Sequence, residues 1–133
     1  MGRYIIKLSK RLYMSKVSRR KLNPIDHQHY VENLTATFAM AKTKEEIAQL
    51  FKDLFTHTEI TMLAKRLEVA RRLITENTYE DIIEEMAVTD RTIASVSNTL
   101  ANEGHGLRTA HDRLAKAEDE KWHTKGKKPK SLF

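Results

Sequence analysis

Between residues 26 and 122 the apolar side chains return every three or four positions, in segments separated by capping residues. A period of 3.6 gathers such residues on one face of an α-helix, whereas a half-buried strand would alternate with period two. Ile47, Leu50, Phe51, Leu54 and Phe55 show the pattern most clearly, behind Thr43 and Glu46 at capping-box spacing. Thr56 and Glu59 repeat the box ahead of a long helix carrying Ile60, Leu63, Ala64, Leu67, Ala70 and Ile74. The polar run 75–78 ends that helix. Upstream, Asp26 follows Pro24 and is expected to cap a helix over 26–40, with Tyr30, Val31, Leu34 and Phe38 on one face. Downstream, the spacing predicts a short helix near 79–86, another over 90–100, and a last one over about 107–122. Leu107, Ala110, Leu114 and Ala117 face inward on the last helix, Trp122 docks at its end, and Gly104 and Gly106 break the chain before it. With four glycines and two prolines in 133 residues and no segment that reads as a strand, the predicted fold class is all-α.

Charge divides the chain. Residues 1–22 hold eight Lys/Arg and no acid, and residues 121–133 hold five lysines and no acid. All 18 acids therefore lie in 23–120 against 11 Lys/Arg, a net of −7 inside a chain whose total is +6. The expected organisation is a basic arm at 1–22, a helical domain at 23–122 and a basic tail at 123–133. Blocks of one charge resist folding and bind polyanions by releasing condensed counterions. The absence of cysteine excludes disulfides, a thiolate nucleophile and a cysteine-based zinc site. No apolar stretch approaches the ~18 residues of a membrane span, so no membrane is expected as a partner and the cytoplasm is the expected location.

The stretch 78–100, "TYEDIIEEMAVTDRTIASVSNTL", has the parts of a helix-turn-helix in order. Ile82, Ile83 and Met86 pack the first helix, Ala87 is the small turn residue, and Val88 plugs the core. Thr89 caps the second helix, which Ile93 and Val96 pack back. Its outward residues are then Asp90, Arg91, Thr92, Ala94, Ser95 and Asn98, mostly small and polar, a composition that can approach base edges in the major groove.

Residues 55–100 resemble the Trp repressor superfamily, including its YerC/YecD-type members. In "FTHTEITMLAKRLEVARRL", Thr56, Glu59, Leu63, Ala64 and Arg66 are similar to the family's leucine-threonine-proline opening and its alanine/glycine-x-arginine helix, with His57 in place of the proline. "SVSNTL" at 95–100 resembles the end of its reading helix. The resemblance implies an intertwined helical homodimer that binds double-stranded DNA through two reading heads. In the tryptophan-sensing members, two arginines hold the ligand. The first matches Arg66, while the second position here is Ser95, followed by Val96 where the family has glycine. Serine cannot replace a bidentate clamp on a carboxylate, so tryptophan is not expected as corepressor.

The predicted head carries seven acids between 76 and 103 and one base, Arg91. Duplex DNA carries about one negative charge per 1.7 Å of axis, so compensation is required. It is expected from Lys65, Arg66, Arg71 and Arg72 of the long helix and from the two arms. His27 and His29 are too close in register to converge on a metal, and the Glu84-Glu85 and Asp119-Glu120 doublets point in different directions. No phosphate loop, nucleophile elbow or zinc motif is present, and neither an enzyme nor a cofactor is expected. The expected function is a DNA-binding transcriptional regulator, a repressor, contacting DNA through Thr89, Asp90, Arg91, Thr92, Ala94, Ser95 and Asn98 with Lys65 and Arg66. The alternatives are a helical protein-interaction module and an RNA- or ribosome-associated protein using the basic arms.

Overall fold

A computed structural model describes residues 20–125, from Trp122 onward by backbone alone. The first 19 residues, the tail beyond Lys125 and the Trp122 side chain lie outside the described residues. Among those described, all regular structure is helical: α1 (Pro24–Met40), α2 (Lys44–Leu54), α3 (His57–Ile74), α4 (Tyr79–Met86), α5 (Asp90–Asn102) and α6 (His105–Lys125). The chain divides into two compact units, Met1–Gln49 and Leu50–Phe133, with the boundary inside α2.

In the first unit, Asn23 rather than Asp26 caps α1, its Oδ1 accepting the Ile25 N–H at 3.0 Å. Pro24 then occupies the first helical position, where its missing N–H costs nothing, and Asp26 falls in the first turn near the positive end of the dipole. No residue of α1 is buried. Of the face expected to pack, Phe38 alone is half-buried, while Tyr30, Val31 and Leu34 are 59%, 46% and 42% exposed. Helix α2 begins with half of the expected box: Thr43 Oγ1 accepts the Glu46 N–H at 3.1 Å, but the Glu46 carboxylate reaches past the cap residue to the Lys42 N–H at 2.8 Å.

The second unit holds the core. Val69 and Ala70 of α3, Ile82 of α4, and Ile93, Val96 and Leu100 of α5 form one buried cluster. Leu73, Ile74, Ile83, Met86, Val88 and Leu107 pack against it. The expected stripe on α3 is thus buried only in its second half; Leu63 and Ala64 are exposed. Helix α3 ends in a Schellman turn, with Asn77 N–H on Arg72 O at 3.0 Å and Glu76 N–H on Leu73 O at 3.1 Å. Glu76 occupies the left-handed position at φ 64°.

The two glycines expected to break the chain before α6 have different roles. Gly104 is buried at φ +45°, and a Cβ there would stand 2.7 Å from Leu100 Cα. Gly106 lies inside α6 with open space where its Cβ would be. Gly104→Ala is therefore expected to lower unfolding free energy by about 2–3 kcal/mol. Gly106→Ala should raise it by up to about 1 kcal/mol, both read by urea denaturation.

At the start of α3 the Glu59 carboxylate accepts from Thr56 N–H at 2.7 Å and Thr56 Oγ1 at 2.9 Å, and these bonds hold its pKa below the ordinary value of 4.5. A carboxyl with a lowered folded pKa contributes stability that is complete above its unfolded value and is lost as pH falls through the folded one. The stability difference between wild type and Glu59→Gln is accordingly expected to be constant near neutrality and to shrink below pH 4.5.

Candidate nucleic-acid interface

The short helix α4 is opened by Thr78, whose Oγ1 accepts the Asp81 N–H at 3.2 Å and donates to Asp81 Oδ2 at 2.7 Å. Ile82 anchors it in the core, with Ile83 and Met86 half-buried alongside. Ala87 then turns the chain through the left-handed region at φ 50°, ψ 52°. An unbranched side chain is favoured there because a Cβ crowds the neighbouring carbonyl at positive φ, and β-branched residues suffer most. Val88 packs against the core, and Thr89 caps α5 by accepting the Thr92 N–H on Oγ1 at 3.3 Å.

Packing Ile93, Val96 and Leu100 inward dictates what α5 shows to solvent. Asp90, Arg91, Ala94, Ser95 and Asn98 are exposed, and Thr92 is half-buried. Arg91, Ser95, Asn98 and Asn102 follow i, i+4, i+7, i+11 spacing, the centre of the outward face. Asn102 extends the predicted set by one turn; its amide donates to Asn98 O at 3.0 Å. Its signal was the same periodicity, obscured because the sequence suggested an end at Leu100.

Lys65 and Arg66 of α3 meet the start of α5. Together with Met62, Ala87, Val88, Thr89 and Thr92 they line a hollow of about 210 Å3. Their environments differ. Lys65 is half-buried, and its Nζ donates to Ala87 O at 3.0 Å, across 22 residues of sequence. Arg66 is exposed and has no polar partner among the described residues. It also borders a second hollow with Leu63, Leu67, Val96, Thr99 and Leu107. Val96 is buried there, and Ser95 is exposed on the outward face, so no second arginine joins Arg66 in that lining.

The expected charge compensation takes a different form at Arg71 and Arg72. Arg72 pairs with Glu85 of α4 and, at 3.3 Å, with Glu68. The Glu85 carboxylate, with Glu68 behind it, holds the guanidinium charged, raising its pKa. Arg71 pairs with Glu118 of α6 at 2.9 Å and with Glu68 at 3.7 Å. These two arginines are engaged by carboxylates of their own chain. Of the seven acids of the head, Glu85 is the one these arginines neutralise, through Arg72; the partners of Arg71 lie on α3 and α6. Glu80 and Glu84 remain exposed on α4. Among the described residues no cluster of three or more His, Asp or Glu could hold a metal ion, and no helix is long and apolar enough to cross a membrane.

Known proteins are similar to this chain in sequence and in fold. A family model described as Trp repressor protein matches residues 29–115. The uncharacterised protein YerC of Bacillus subtilis (strain 168) is 37% identical over 90 residues, 68% of this chain and 86% of that protein. A crystal structure of a candidate Trp repressor from Staphylococcus aureus superposes with a TM-score of 0.63 at 27% identity, covering 71% of this chain and 96% of the other. The order of helices, the tight turn at Ala87 and the matched span of residues together make this chain a member of the Trp repressor family.

Proposed function

We propose that this chain is a sequence-specific, double-stranded-DNA-binding transcriptional repressor that works as a homodimer in the cytoplasm and reads the major groove with α5 of each subunit. The observation that carries the proposal is the division of α5. One face is locked into the core by Ile93, Val96 and Leu100, and the other presents Asp90, Arg91, Ala94, Ser95 and Asn98 to solvent. A rigidly seated helix with short polar side chains outward can enter a major groove and place donors and acceptors against base edges. Thr89 and Thr92 stand at its N-terminal end, where base contacts concentrate in helix-turn-helix proteins, and Arg66, free of intramolecular partners among the described residues, is placed to meet a phosphate.

The second copy is supported by uncovered apolar surface. Ile25, Tyr30 and Met40 of α1 and Met62 of α3 are each more than half exposed in the single chain. A 17-residue helix with no buried residue draws little stability from its own chain, since isolated helices of this length are marginal in water. Burial against another subunit supplies what the monomer lacks. Tryptophan has no part in this proposal, because Arg66 lacks a second arginine to complete a carboxylate clamp, and the effector is left unassigned.

Most of the non-specific affinity is assigned to the basic segments 1–22 and 123–133, because the helical body is acidic and part of its positive charge is engaged internally. The test is selection of binding sites by the full chain from a random duplex pool at two salt concentrations. The expected product is an inverted repeat with half-sites about one helical turn apart. Removal of residues 1–22 should flatten the dependence of affinity on salt while the enriched sequence stays the same. A pool without an enriched palindrome would count against DNA reading, and a salt dependence indifferent to the truncation would take the arm out of the mechanism.

A further inference from the structure

We propose that Lys65 is a positioning residue of the reading head: by donating from Nζ to the Ala87 carbonyl, it fixes the angle at which α5 is presented to a duplex. This rests on the reading of α5 as the DNA-contacting helix. The bond spans 3.0 Å between residues 22 apart and joins the middle of the long helix to the turn between α4 and α5. Ala87 is where such a tie has most effect. It is the C-cap of α4, stands in the left-handed region, and is followed after Val88 by the cap of α5. A small rotation at Ala87 therefore swings the whole of α5.

The chemistry suits the place. The carbonyls at a helix C-terminus have no intrahelical donor and carry the negative end of the dipole, so an ammonium there satisfies an acceptor and opposes a partial charge. Helix α4 is only eight residues long, has no basic residue in its last turn, and carries Glu84 and Glu85 there, which makes the added cation more favourable. The other end of α5 is tied in the same way: Arg108 of α6 donates from Nη2 to Leu100 O at 3.2 Å. Cation–carbonyl bonds from neighbouring helices thus stand on either side of the reading helix, one on the turn that leads into it and one on its last turn.

A residue acting through the turn differs in its signature from one touching a phosphate. Lys65→Met keeps the apolar stem and removes the charge; Lys65→Arg restores a donor. The probes are the duplex enriched by the wild-type chain and a scrambled duplex of equal length, each bound by the full-length variants across a salt series. Lys65→Met is expected to reduce the preference for the enriched duplex by about tenfold, as loss of a charged hydrogen bond would. Binding to the scrambled duplex and the slope against salt should be unchanged, and Lys65→Arg should recover most of the preference. Equal weakening on both duplexes, with the slope reduced by about one, would instead make Lys65 a phosphate contact and overturn the proposal. An unchanged preference would overturn it as well.

Hydrogen exchange in the free protein decides the tie separately from any DNA. The amides of Thr92 and Ile93 both bond to Thr89 O, at 3.0 and 3.2 Å, directly after the turn. Their exchange is expected to accelerate in Lys65→Met relative to amides late in α5 and to return toward wild type in Lys65→Arg. If the wild-type chain enriches no duplex, DNA reading fails while this measurement still rules on the tie. Unaltered exchange in Lys65→Met would dispose of the tie even if a duplex is enriched.

Discussion

The seating of α5 on α3 and α4 is the contact from which the rest follows. Ile93, Val96 and Leu100 close against Val69, Ala70 and Ile82, and these six residues are the whole buried cluster among those described. So small a core leaves little redundancy, since a domain's net stability is a few kcal/mol left over from much larger opposing terms. It also fixes rotation. With three residues of α5 committed inward at i, i+3 and i+7, helix geometry leaves one outward face, and Arg91, Ser95 and Asn98 lie along it. Stability and presentation of the surface are therefore the same event.

Polar contacts then refine what the core sets. Arg72 draws Glu85 of α4 toward α3, Arg71 holds Glu118 of α6, and Lys65 reaches the Ala87 carbonyl. Each joins a side chain of the long helix to a different element, so α3 serves as a frame on which the others are hung. The arrangement also moderates the acidity of residues 76–103, since Arg72 neutralises Glu85, one of their seven acids, inside the molecule.

Much of this was legible locally. The capping pairs Thr56 with Glu59 and Thr43 with Glu46 mark helix starts because their hydrogen bonds span three residues and depend on nothing distant. The inward set Ile82, Ile93 and Val96 followed from periodicity, and Ala87 from the steric demand of a tight turn. The cap of α1 was misplaced by three residues, since Asn23, Pro24 and Asp26 all favour a start and local rules rank them poorly. Tyr30, Val31 and Leu34 were expected inside and lie outside in the single chain, because periodicity identifies a face to be covered but does not say which molecule covers it.

The different fates of neighbouring residues separate the two levels. Sequence by itself determined the order of the helices, the capping boxes at Thr56 and Thr78 and most of the face that α5 exposes, because each depends on residues within a turn or two. Tertiary structure alone decided that Lys65 reaches the Ala87 carbonyl while Arg66 has no polar partner among the described residues, that Arg72 neutralises Glu85, and that a Cβ would collide at Gly104 but not at Gly106. Those outcomes depend on distances between atoms far apart along the chain. Such distances come into being only when the helices have packed.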